Sequence, residues 1–219
     1  GTVNGVDAGT SGTIKLDDFA SQRTGYIGPM SVFSDVPSTH PLWGFIQGLY
    51  SAEITAGCGG TSYCPTSNVN RAEMAVFLTR GGRGPEFTPP AATGIFSDVP
   101  ASFWAASWIE QIYADGLTGG CSTSPLQYCP SNTVNRAEMA VFLLKAKHGA
   151  SYTPPPATGD FADVPVSFWA APWIEQLAAE GITAGCGGGN YCPGNPVTRE
   201  QMAVFLVRTF NLPTQQVGP

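Results

Sequence analysis

The sequence predicts a mainly α fold: three helix-loop-helix repeats packed as a pseudo-threefold bundle, preceded by a short, extended, β-prone N-terminal arm. Three observations predict it. The stretch from Phe33 to Cys58 recurs without a gap from Phe96 to Cys121 and again from Phe161 to Cys186. "VNRAEMAVFL" at 69–78 returns unchanged at 134–143 and as "VTREQMAVFL" at 197–206. Each copy carries one close pair of cysteines. Repetition at this period is read before any single motif, because it defines the unit that folds.

Residues 1–32 match no repeat. They are Gly- and Thr-rich with short β-prone pieces such as "TIKL". They fit a disordered tail, a linker, or a strand donated to a neighbour, and the last is slightly favoured. The first repeat occupies 33–84. A Pro-rich linker, 85–95, leads to the second repeat at 96–149. A second linker, 150–160, leads to the third repeat at 161–212, and 213–219 form a tail. Runs such as "FTPPAATG" favour polyproline conformation and reach roughly 25 Å at about 3.1 Å per residue. This suggests compact units tied by stiff straps. Units of about 50 residues bury little core alone, so they should pack on one another.

Within the second repeat Ser102 is a candidate cap. Trp104, Trp108, Ile109, Ile112 and Tyr113 follow at helical spacing. Gly116 suits the left-handed end of that helix, and the first repeat places Glu53 there instead. The second helix of each repeat opens on a capping box: Asn70 with Glu73, Asn135 with Glu138, Thr198 with Gln201. Met74, Phe77 and Leu78, like Met139, Phe142 and Leu143, mark its buried face.

The local spacing pairs the six cysteines as Cys58–Cys64, Cys121–Cys129 and Cys186–Cys192. No His stands near any pair, so no metal site and no cofactor are expected. Disulfides imply export to an oxidising compartment. A net charge of −6 with 12% charged residues argues against nucleic acid, which needs a basic footprint. No apolar run is long enough to span a membrane. The two histidines, His40 and His148, occupy no repeated position. No Ser-His-Asp or Cys-His arrangement recurs, so the protein is not expected to be an enzyme.

One choice needs explaining. Arg71, Arg136 and Arg199 each sit in a first helical turn, where the macrodipole disfavours a cation. Two readings stand. Each arginine pairs with Asp35, Asp98 or Asp163, or stacks on a tryptophan. Alternatively, free helix N–H groups and the guanidinium together hold an anion, for which arginine's planar fork is suited. The aspartates precede Val-Pro and fit turn fixing. Most tryptophans read as core.

Together these motifs resemble the S-layer homology (SLH) family over about 33–210. The carriers are F-x-D-V-P, F-W-A-A-x-W-I, G-I-T-x-G, the aromatic-x-Pro after the loop, and T-R-x-x at the second helix. The resemblance implies a pseudo-trimeric bundle with grooves between units. Those grooves typically bind cell-wall glycan, often bearing acidic pyruvate ketals, and anchor the protein to the surface. For glycan or anion binding the resemblance implies Arg71, Arg136 and Arg199, and the residues themselves add Asp35, Asp98 and Asp163, which could accept sugar hydroxyls, and Trp104 and Trp169, which could face a sugar ring. The first repeat departs, with His40 and Pro41 where the others have Phe and Trp, so its groove is expected to be altered. The cysteine pairs are an elaboration on the family's loop.

The expected partner is cell-wall or envelope polysaccharide. The alternative is a structural subunit that polymerises with copies of itself into a surface layer or filament. It rests on an arm at 1–32 that could add a strand to a neighbour, and on the lack of cargo within the sequence.

Overall fold

The computed structural model describes residues 31–216. The expected arm at 1–32 therefore lies, apart from its last two residues, outside the described residues. The rest is mainly helical. The helices are α1 (Trp43–Ser51), α2 (Arg71–Arg83), α3 (Ala106–Ala114), α4 (Arg136–His148), α5 (Ala171–Ala179) and α6 (Arg199–Thr209). A two-stranded hairpin, β1 (Ser122–Thr123) with β2 (Leu126–Gln127), fills the longest inter-cysteine loop.

The odd-numbered helices start later than the periodicity suggests. Ala105 precedes α3 without a side-chain cap, so Ser102 does not cap it. Phe103 N–H donates to Pro100 O and Ala106 N–H to Phe103 O, which makes residues 100–106 a tight turn. Trp104 lies on that turn and not on the helical stripe. Its side chain is 61% exposed, against the core reading. Ile109 and Ile112 do form the buried face. α3 ends as expected, with Gly116 at φ 71° and Leu117 N–H donating to Ile112 O. Glu53 adopts the same left-handed conformation at φ 57° with the same bond pattern, so the first helix ends no differently.

The even-numbered helices start where their caps place them. Asn70, Asn135 and Thr198 each accept from the backbone N–H three residues on, and Glu73, Glu138 and Gln201 reach back to the cap. Met74, Leu78, Met139, Leu143, Met202 and Leu206 are buried on the expected face. The disulfides pair as the spacing predicts.

Packing follows an order that the repeats alone do not reveal. α2 packs against α3, α4 against α5, and α6 against α1, while α2, α4 and α6 meet one another. α1 and α2 do not pack together. Two pairs, α2 with α3 and α4 with α5, thus lie on either side of a Pro-rich strap, and the third joins the last described helix to the first; none lies within one repeat. At the centre three backbone bonds close a ring: Val69 N–H to Val197 O (2.9 Å), Val197 N–H to Val134 O (2.9 Å), and Val134 N–H to Val69 O (3.0 Å). Each valine is fully buried, so these polar groups have only one another to satisfy them.

Candidate functional site

Each first-turn arginine is buried: Arg71 is 6%, Arg136 5% and Arg199 3% exposed. Each is locked to a tyrosine of the following inter-cysteine loop, in cyclic order. Arg71 Nε donates to Tyr128 O, Arg136 Nε to Tyr191 O and Arg199 Nε to Tyr63 O, all at 2.8 Å. The tyrosine hydroxyls return the bond to the arginine carbonyls at 2.7, 2.7 and 2.8 Å. The guanidinium carbons lie 4.7, 4.6 and 5.0 Å from the same tyrosine ring centroids. A second ring, Phe142, Phe205 or Phe77, has its centroid 5.7, 5.5 or 5.6 Å from the same guanidinium carbon. Burial raises the tyrosine hydroxyl pKa values well above the ordinary value, which keeps them protonated donors.

The helix starts are equally engaged. Arg71 and Ala72 N–H donate to Asn132 O and Pro130 O, Arg136 and Ala137 N–H to Asn195 O and Pro193 O, and Arg199 and Glu200 N–H to Ser67 O and Pro65 O. With the third N–H taken by the cap, no free helix N–H remains for an anion. That part of the anion reading is corrected: neighbouring-loop carbonyls supply the negative end of the dipole. The arginine resolves its conflict with the same dipole by stacking on aromatic rings and donating across the unit boundary. It stacks on tyrosine and phenylalanine, not on tryptophan.

The aspartates do not pair with these arginines. Asp35 accepts Tyr63 and Cys64 N–H at 2.8 Å each. Asp98 accepts Tyr128 and Cys129 N–H, and Asp163 accepts Tyr191 and Cys192 N–H. Each aspartate thus holds the loop that presents the arginine's tyrosine. Partial burial alone would raise the Asp35 pKa, but the N–H bonds and the Arg199 charge bring it net below its ordinary value. Among the described residues, Asp98 and Asp163 each lie beside a cysteine pair, but those sulfurs are oxidised and offer no thiolate to a metal.

The outer end of two of the three guanidinium groups remains open. Nη2 of Arg71 and of Arg136 is buried with no hydrogen-bond partner. Arg136 lines a cavity of about 350 Å³ with Thr183, Gly185, Gln201, Arg208 and Leu42. Arg199 lines a matching cavity of about 240 Å³ with Gly57, Glu73, Phe77, Arg80 and Trp104. Each cavity draws residues from the first, the second and the third sequence repeat. Trp104 reaches the second cavity from the turn before α3, and Trp169 stands 60% exposed at the corresponding turn before α5. In the first repeat Pro41 replaces that tryptophan and Leu42 lines the cavity. His40, also a departure, faces Glu200 at 3.3 Å, where the other repeats have Ala72 and Ala137.

Residue reading missed Tyr63, Tyr128 and Tyr191 as the arginines' partners, although their constant place before Cys-Pro was a visible signal. It also missed Glu73 and Gln201 as groove residues, because capping already accounted for them. No helix among the described residues is long and apolar enough to cross a membrane.

Comparison with known proteins places the same segments in context. The family model described as "S-layer homology domain" matches residues 32–75 and 160–203. Over 114 residues, 52% of this chain, it is 31% identical to an endoglucanase of Bacillus sp. strain KSM-635 and covers 11% of that protein. Over 183 residues, 80% of this chain, it is 30% identical to cell surface glycoprotein 1 of Acetivibrio thermocellus, of which it covers 8%. A cellulosome-anchoring protein of the same organism is 26% identical over 161 residues, 72% of this chain and 35% of that protein. The chain therefore spans a small part of each relative's length.

Proposed function

With two segments that belong to the S-layer homology domain family, at 32–75 and 160–203, we propose that the protein is a non-catalytic cell-surface anchor whose grooves bind acidic cell-wall or envelope glycan. The carrying observation is the unpartnered Nη2 of buried Arg136 beside a groove that also holds Arg208. A buried donor without an acceptor is costly, and a charged one more so, unless a ligand supplies the acceptor. The relatives support a shared module in place of shared chemistry. An endoglucanase and an anchoring protein have little in common by name beyond the short stretch that resembles this chain. Such a role suits export to the extracellular surface, in keeping with the disulfides.

The reading includes a third, cysteine-bearing repeat between the matched segments. It divides the chain as 1–32, 33–84, 85–95, 96–149, 150–160, 161–212 and 213–219. Its units are arranged about a pseudo-threefold axis. Support comes from the cyclic order of the arginine–tyrosine locks and of the valine ring. Arg71, Arg136, Trp104 and Trp169 would contact the glycan. Arg199 and the aspartates Asp35, Asp98 and Asp163 would shape the grooves. Self-assembly into a layer or filament stays the second possibility, tied to residues 1–32. Electron microscopy with and without those residues tests it: assemblies that persist after truncation would remove the arm's role.

For the main reading, the test is co-sedimentation with purified wall polysaccharide before and after chemical reduction of its carboxyl groups. The expected result is retention on the native polymer and loss on the reduced one. Equal retention on both would refute acid recognition.

A further inference from the structure

The three arginines share one lock but not one neighbourhood. The residue three places after each cap is Glu73, Glu138 or Gln201. Glu73 Oε1 accepts from Arg199 Nη1 at 2.9 Å, and Gly57 O accepts from Nη2 at 3.0 Å. With Nε on Tyr63 O, this guanidinium is engaged within the chain on every nitrogen. At the matching place Gln201 is neutral, and no carboxylate among the described residues pairs with Arg136, whose Nη2, the atom that Gly57 O takes on Arg199, is also unpartnered. Both cavities hold a second arginine at the equivalent helical place, Arg208 and Arg80, so they differ in acid: the Arg136 cavity has none among its lining residues and the Arg199 cavity has Glu73. Arg71 likewise has an unpartnered Nη2, while Glu138 Oε2 accepts from its cap, Asn135 N–H.

We propose that the residue at this position sets the charge selectivity of these two grooves, so that the Arg136 groove takes a carboxylate-bearing sugar and the Arg199 groove rejects one. Glu73 acts as a built-in carboxylate in the second groove. A ligand's carboxylate would have to displace it or sit beside it, and two close carboxylates repel. A repulsive element of this kind discriminates as firmly as an attractive one. The Arg199 groove keeps Trp104 on its wall and so remains suited to an uncharged sugar ring. The Arg136 groove has Leu42 and lacks the tryptophan, leaving charge as its main means of recognition. The inference rests on the glycan-binding reading above and assigns the acidic component to one groove.

Gly185 and Gly57 are matched reporters, since each N–H donates at 3.1 Å to the threonine two residues earlier. The ¹⁵N-labelled full chain would be titrated with methyl β-D-glucuronide, and with methyl β-D-glucoside as the uncharged control. In the unaltered protein the glucuronide should shift Gly185 and leave Gly57 in place. Glu73→Gln should make Gly57 shift as well. It should fold normally, because Gln201 already serves the same capping box with Thr198. Gln201→Glu should abolish the Gly185 shift. Equal shifts at both glycines in the unaltered protein would overturn the selectivity while leaving glycan binding intact, as would Gly185 responding alike to both sugars. A Gly57 that stays still in Glu73→Gln while Gly185 responds would also overturn it. Shifts at neither glycine in any variant would overturn the acidic-glycan reading along with this one.

Discussion

Tyr63, Tyr128 and Tyr191 carry the clearest residue-scale burden. Each spends its carbonyl on one arginine's Nε and its hydroxyl on that arginine's carbonyl, in a fully buried setting. Tyr128→Phe removes one of these bonds without changing shape. It should cost about 1 kcal/mol, the usual net worth of a buried hydrogen bond. Urea denaturation of the non-reduced protein would measure it. Glu53 gives the opposite sign. A side chain held at φ 57° costs about 1–2 kcal/mol relative to right-handed backbone, and glycine removes that cost. Gly116 and Gly181 already occupy the equivalent ends, at φ 71° and 70°. Glu53→Gly should therefore raise the midpoint of thermal unfolding, whereas Gly116→Glu should lower it.

Among the elements, the straps are held by single carboxylates. Glu110 accepts the N–H groups of Thr93, Gly94 and Ile95, and Glu175 those of Thr158, Gly159 and Asp160. Burial alone would raise both pKa values, but the bundle of N–H bonds lowers them below the ordinary glutamate value. A carboxylate depressed in the fold adds stability at pH above its unfolded value. That stability is lost as pH falls through the folded value. The urea midpoint should thus drop on acidification below the ordinary glutamate range. Glu110→Gln with Glu175→Gln should flatten part of that drop. The first helix has Gln47 at the corresponding place, and its Nε2 donates to Ser31 Oγ at 3.2 Å. A neutral residue there makes no contribution to the acid limb. The disulfides act at the same scale. Replacing Cys121 and Cys129 by Ala should cost about 2–3 kcal/mol in the chain-entropy model.

Over the whole molecule, closure of the ring is the decisive event. α6 must return to α1, and the tail past Phe210 completes that contact. Gln215 N–H donates to Gly44 O at 3.1 Å. The carbonyls of Gln215 and Pro213 lie where Cβ atoms on Gly44 and Gly48 would stand, so only glycine admits the tail. Removing residues after Leu212 should therefore speed amide exchange in α1 and leave α4 and α5 protected. Hydrogen exchange by mass spectrometry reads this directly. Uniform loosening of all six helices would show that the tail has no local role.

The repeats, the capping boxes and the cysteine pairing were legible in the chain because each is a local matter. A capping box spans three residues, and a short disulfide loop leaves little choice of partner. The class of fold and the S-layer homology resemblance followed from that local order repeated. The partners of Arg71, Arg136 and Arg199 were not legible, since each lies on another repeat, up to 136 residues away for Arg199 and Tyr63. Trp104 was misread for a related reason. Helical spacing continues backwards through a turn that only backbone hydrogen bonding brings to an end. Grooves built from distant segments, and the contrast between Glu73 and Gln201 within them, exist only once the chain closes on itself. Periodicity records which face of a helix is apolar. Which neighbour that face meets depends on how the straps return the chain, and only the tertiary structure decides it.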